Sequence, residues 1–135
     1  MADLTEGATG PQVEHGPLSR TDFVRYAGAS NDFNPIHHDD GFAQRAGQPS
    51  VFGHGMFSAG LLASYVVGWV GAGAVTGFKV RFVDRVWPGD VVVPVGRVTA
   101  TDDEAGTATI ELELQRDGDV LVTGAAHVRT DQGKA

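Results

Sequence analysis

The run Met56-Phe57-Ser58-Ala59-Gly60-Leu61-Leu62-Ala63-Ser64-Tyr65-Val66-Val67 is apolar or small at nearly every position. A helix with no polar face has nowhere to meet water, so this run predicts a helix buried on every side. From Met56 to Trp69 it would be about 20 Å long at roughly 1.5 Å per residue. Ser58, Ala59, Gly60, Ala63 and Ser64 leave room for other backbone to approach. Glycines at 60, 68, 71 and 73 interrupt the wider apolar stretch, which suits a protein core better than a membrane span. Gly53 and Gly55 precede the run and leave its first N–H groups uncovered, able to face an anionic oxygen. The simpler reading is that they only make a tight turn into the helix.

After Gly73 the period changes from helical to alternating. Val75 to Val83 sets Phe78, Val80 and Phe82 against Lys79 and Arg81, and Trp87-Pro88-Gly89-Asp90 is a turn. Val91 to Thr99 reads as a second strand, in which Pro94 demands an edge or a bulge. Thr107 to Arg116 alternates cleanly, Asp117-Gly118 marks a hairpin, and Val120 to Arg129 is the last strand. Long antiparallel strands after one buried helix imply an α+β domain, a sheet curled around that helix.

The N-terminal half is more broken. Residues 1–10 read as loose and frayed, and Gln12 to His15 as a short edge strand. Ser19 and Asp22 form a capping-box pattern, which predicts a short helix over Thr21 to Ala27 ending at Gly28. Asp39 or Asp40 would cap a second one, Gly41 to Ala46. The polar residues Thr130 to Ala135 are expected to fray. At 135 residues the chain is long enough for one core, so a single domain over residues 1–135 is expected.

Composition removes several function classes. A net charge of −7 argues against a nucleic-acid partner. The absence of cysteine excludes disulfides, thiolate metal sites and a thiol nucleophile. The first sixteen residues lack a basic segment followed by an apolar one, so no signal peptide is expected and the cytoplasm is the default location.

Asn31-Asp32-Phe33-Asn34-Pro35-Ile36-His37 carries the chemistry. Asp32 and His37 are five residues apart, a spacing that fits neither one helical face nor one strand face. Asn-Pro favours a turn, so an ordered loop should bring the two side chains together. A paired carboxylate and imidazole is an acid–base device near neutral pH. The competing reading is that these Asp and Asn residues only build Asx-turns. The neighbouring His37-His38-Asp39-Asp40 is a poor metal site, because four consecutive residues rarely converge on one ion.

These residues resemble a known family. Tyr26-Ala27-Gly28-Ala29-Ser30-Asn31-Asp32-Phe33-Asn34-Pro35-Ile36-His37, then Phe42-Ala43, Gly53-His54-Gly55-Met56, Val80-Arg81-Phe82 and Pro88-Gly89-Asp90, together resemble the MaoC-like branch of the hot-dog fold. That branch comprises R-specific enoyl-thioester hydratases and (3R)-hydroxyacyl-thioester dehydratases. Val70 through Phe82 is further similar to the catalytic subunits of acyl-carrier-protein dehydratases of long-chain fatty acid elongation. One departure is Asn31, where the family usually has Gly; Asn is the non-glycine residue that best tolerates φ > 0.

The resemblance implies that Asp32 and His37 activate a water for addition to an enoyl thioester, with Asn34 orienting the loop or the water. It implies that the Gly55 N–H steadies the developing enolate and that His54 shapes the turn. Phe33, Ile36, Met56, Phe57 and Leu61 become candidates for the acyl channel, and Lys79 and Arg81 for the phosphate of a coenzyme A or acyl-carrier-protein substrate. No cofactor or metal is implied. A homodimer, or a heterodimer with a related hot-dog subunit, is expected because open sheet edges invite pairing. The rivals are a hot-dog thioesterase, disfavoured because Met56 to Val67 contains no Asp or Glu, and a tailoring or partner subunit that binds acyl thioesters without this chemistry.

Overall fold

The computed structural model of the protein describes residues 2–130. Its longest helix, α3 (Gly55–Val70), lies on one face of an antiparallel sheet of four strands. These are β1 (Val75–Phe82), β2 (Val93–Asp102), β3 (Thr107–Arg116) and β4 (Asp119–Arg129), in the order β1-β4-β3-β2. Two shorter helices, α1 (Arg20–Ser30) and α2 (Asp40–Arg45), precede α3.

The hairpin between β3 and β4 closes at Asp117 and Gly118, both with positive φ, as a two-residue turn of this composition requires. Pro94 lies in β2, an edge strand, where its missing N–H interrupts no ladder; the register shift of that strand falls further on, between Val98 and Ala100. Inward residues of β3 and β4, chiefly Ile110, Leu112, Leu114, Leu121 and Val122, pack with Leu62 and Val66 of α3 in one core. Gly96 makes the close approach possible, since a Cβ there would press into the Tyr65 and Trp69 rings and Leu112.

Five expectations are corrected. The segment 2–10 is not loose: Gly7 N–H donates to Val98 O (2.8 Å), Val98 N–H to Ala8 O (2.9 Å) and Gly10 N–H to Gly96 O (3.0 Å), which lays it along the outer edge of β2. Gln12 to His15 forms no strand, only a bridge from His15 to Val92. At the other terminus Thr130 N–H is held by Gly106 O, while residues 131–135 lie outside the described part. Helix α1 passes Gly28 and stops at Asn31, whose φ of 59° makes it the left-handed cap. Asn supplies this stop because its short polar side chain tolerates that conformation.

The fifth correction concerns α3, which is not buried on every side. Ser58, Ala59, Leu62, Tyr65 and Val66 face the sheet and are buried. Met56, Gly60, Ser64 and Val67 form an exposed stripe, with Met56 60% exposed. One sheet covers only one side of a cylinder. Among the described residues no helix is long and apolar enough to cross a membrane.

Leu62 is fully buried where helix meets sheet. Leu62→Ala should therefore destabilise the protein by about 3 kcal/mol through lost transfer energy and a cavity, read as a lower urea midpoint.

Candidate active site

The loop after α1 is built from its own polar side chains. Asp32 Oδ1 accepts from Asn34 N–H (3.3 Å), and Asn34 Oδ1 accepts from Ile36 N–H (3.1 Å), capping a 3₁₀ turn over Pro35–His37. These Asx bonds exist, as the simpler reading required, yet they also shape the turn that brings the Asp32 carboxylate near the His37 ring. Asn34 spends its carbonyl oxygen on the loop, which makes it a loop-shaping residue.

That turn delivers His37 inward until it is only 9% exposed. Its Nδ1 lies 2.7 Å from the Phe52 carbonyl. A carbonyl can only accept, so Nδ1 carries the hydrogen and Nε2 keeps a lone pair. Burial is the main influence on this imidazole and lowers its pKa below the usual histidine value. The Phe52 hydrogen bond opposes that, His54 lowers it further, the Asp32 charge raises it, and His38 lowers it slightly.

His54 is buried at 3% exposure. Its Nε2–H donates to the Asp32 main-chain carbonyl (3.0 Å), and its ring stacks on His37 with centroids 3.7 Å apart and planes at 25°. Tyr26 packs edge-on against the His54 ring, centroids 4.9 Å apart. A ligand atom from each of Asp32, His37 and His54 lies within 4.8 Å of the other two, so loop and helix head do converge. That spacing alone would suit a cation. Stacked rings, however, hold their in-plane lone pairs side by side, whereas a tetrahedral ion needs them to point at one centre. Acid–base chemistry is the better use of this geometry. Elsewhere in the motif, Asp39 caps α2, Asp40 pairs with Arg20 (3.0 Å), and His38 turns to the Phe33 carbonyl.

Gly55 opens α3, and His54 before it makes no side-chain cap, so the Gly55 and Met56 N–H groups stay available, while Phe57 N–H donates to the His54 carbonyl (3.1 Å). A cavity of about 380 Å³ lies here, lined by His54, Gly55, Ser58, Phe82, Val83 and Arg85 among others. Arg116 braces its wall, reaching Asp90 (2.7 Å), Asp84 (3.3 Å) and the Arg85 carbonyl (3.1 Å). Neither Asp32 nor His37 is among the residues that line this cavity; His54, which does line it, is bonded to the Asp32 main-chain carbonyl and stacked on the His37 ring.

The other expected binding residues disperse. Phe33 and Met56 are exposed, Ile36 packs against the core, and Phe57 is fixed edge-on between Phe23 and Tyr26. Leu61 likewise packs against the core. Lys79 and Arg81 alternate with Val80 and Phe82, so they stand on the sheet face away from α3. They line a separate cleft of about 910 Å³ with Arg97, Glu111 and Glu113. Ser58 and Arg85 were not singled out from sequence. Ser58 follows His54 by one helical turn, a spacing that would have placed it on the same face. Arg85, over the Phe52 ring at 4.7 Å, had no local signal.

Known proteins are similar to this chain in sequence and in fold. An (R)-specific enoyl-CoA hydratase of Rhodospirillum rubrum is 30% identical over 129 residues, covering 93% of this chain and 88% of that protein. The fatty acid synthase subunit beta of Saccharomyces cerevisiae is 32% identical over 111 residues, 76% of this chain, and the match spans only 5% of that subunit. Among solved structures, the ChsH1-ChsH2 complex from Mycobacterium tuberculosis contains a chain that superposes with a TM-score of 0.83 at 26% identity, covering 93% of this chain and 97% of that one. The MaoC-like domain description matches residues 5–122, and with one sheet laid against one long helix in the hot-dog manner, the chain belongs to the MaoC-like family.

Proposed function

We propose that this protein adds water to trans-2-enoyl thioesters, giving (3R)-3-hydroxyacyl thioesters, and runs the reverse dehydration with the same groups. The observation that carries this reading is the convergence of Asp32 and His37 at the head of α3, beside an uncapped Gly55 amide. With the thioester carbonyl against Gly55 N–H, C2 and C3 come within reach of the pair. Water loses a proton to the pair as its oxygen bonds to C3. The C2–C3 π electrons move toward the thioester oxygen as an enolate, and a proton then returns to C2. His37 enters this cycle with a free Nε2 lone pair, its other nitrogen being tied to Phe52. An oxyanion donor such as the Gly55 amide is worth about 3 kcal/mol in comparable sites.

Hydrolysis of the thioester is the weaker reading, because α3 offers no carboxylate to direct water at the carbonyl carbon. The carrier is coenzyme A or an acyl carrier protein, both of which present the same thioester. Association follows from the open side of the fold. Edge strand β1 has no strand beyond it among the described residues, and Phe78, Phe82 and Val83 are exposed there, as are Met56 and Val67 of α3. A second copy, or a related hot-dog chain, would cover that surface.

Asp32→Asn and His37→Ala should each slow hydration of an enoyl-CoA by about 10²–10⁴-fold, followed by loss of the conjugated thioester absorbance. Rates within a few-fold of wild type would remove the residue from the mechanism. The base form of His37 is required and burial lowers its pKa. The acid limb of kcat/KM should therefore fall below the ordinary histidine value of 6.5, with activity lost only as pH drops through that lowered pKa. A limb above neutrality contradicts this assignment. Phe78→Asp should shift sedimentation toward the monomer if β1 forms the contact.

A further inference from the structure

The loop bearing Asp32 is exposed and is held mostly by bonds to itself. Ser30 Oγ accepts from Asp32 N–H, Asp32 Oδ1 from Asn34 N–H, Asn34 Oδ1 from Ile36 N–H, and the Asn34 carbonyl from His37 N–H. Among the described residues, one hydrogen bond joins residues 31–34 to the head of α3, the 3.0 Å contact from His54 Nε2–H to the Asp32 carbonyl. The reactive imidazole hangs from the same short stretch, since the Phe52 carbonyl takes His37 Nδ1–H. Between those two anchors sits Gly53, whose N–H donates to Val86 O (2.9 Å) and whose missing Cβ would strike the Val86 and Phe23 side chains. The stretch 52–54 therefore has little freedom of its own.

We infer that His54 is a positioning residue: its ring fastens the Asp32 loop to the head of α3 and provides the surface on which the His37 ring rests. Its Nε2–H is spent on a main-chain carbonyl, and its Nδ1 is buried with no partner among the described residues. Like His37 Nε2, that Nδ1 keeps a lone pair on an anchored ring, but the atom is fully buried and so offers a substrate no proton-accepting surface. The stacked geometry fixes the plane of His37, and the tether fixes how far Asp32 stands from it. The effect on rate comes through alignment, because displacement of an acid–base group by about 1 Å can cost on the order of 10²-fold. The kinetic part of this inference rests on the hydratase reading; the tether does not.

Two substitutions separate the contacts. His54→Gln keeps an N–H at nearly the same reach but loses the ring, while His54→Phe keeps the ring but loses the donor. With enoyl-CoA as substrate, His54→Phe should lower kcat by about 10²-fold with KM within about threefold of wild type, and His54→Gln should recover roughly tenfold of that loss. Backbone amide exchange at residues 32–34, which needs no turnover, should quicken in His54→Phe and stay near wild type in His54→Gln. Imidazole ¹⁵N spectra of the wild type should show the Nε2–H tautomer for His54 and the Nδ1–H tautomer for His37. Equal kcat in the two variants, a change confined to KM, or unchanged exchange in His54→Phe would each overturn the tether, provided both variants melt with wild-type cooperativity. Should either unfold, His54→Asn, whose shorter amide cannot span the gap, substitutes for Phe in the same comparison. A wild-type protein without hydratase activity would refute the proposed function, while the exchange and tautomer results would still decide the role of His54.

Discussion

The contact between α3 and the sheet is the constraint that everything else inherits. Leu62 and Val66 meet the inward side chains of β3 and β4, and Gly96 lets the rings of Tyr65 and Trp69 lie close to β2. Such burial is non-directional, worth about 25 cal/mol for each square ångström removed from water, and does not by itself aim any polar group. It does fix where the helix begins. Once α3 is seated, the Gly55 amide, the His54 ring and the Phe52 carbonyl occupy set positions, and the loop after α1 has to be fitted to them.

That fitting uses one set of polar groups for two purposes. The Asp32 carboxylate accepts a backbone N–H to shape the turn and still lies near the two imidazoles. His37 is drawn out of water by packing against Phe52 and His54, and this desolvation lowers its proton affinity. Folding thus tunes the imidazole without any dedicated charged partner beyond Asp32. The same economy is visible in Asp40, which pairs with Arg20 and also accepts the Val51 N–H ahead of the site.

Much of this could be read from residues. The strand periods of β1, β3 and β4, the hairpin at Asp117-Gly118 and the capping of α1 by Ser19 and Asp22 are all local signals, and all are realised. The approach of Asp32 to His37, within 4.8 Å though not hydrogen-bonded, was legible because Asn-Pro imposes a turn whatever surrounds it. What was not legible depends on distant chain. Residues 2–10 look like a tail until β2 offers an edge. Helix α1 runs through Gly28, an open helical position, because Asn31 and not that glycine holds the left-handed turn. Lys79 and Arg81 are one strand step from Val80 and Phe82, yet that step puts them on the opposite face of the sheet. Neither the stacking of His37 on His54 nor the place of Arg85 over Phe52 has any sequence signal, since each joins segments held apart by tertiary packing alone.

Phe82 closes β1, packs over Gly55 and also lines the cavity at the helix head. It belongs to a border strand whose outer hydrogen-bonding groups have no strand to meet within the described chain. Any molecule that docks along that border therefore leans on a wall of the cavity at the helix head. Occupancy of that edge and the shape of the cavity are physically linked, so a change of neighbour would reshape the cavity without altering Asp32 or His37.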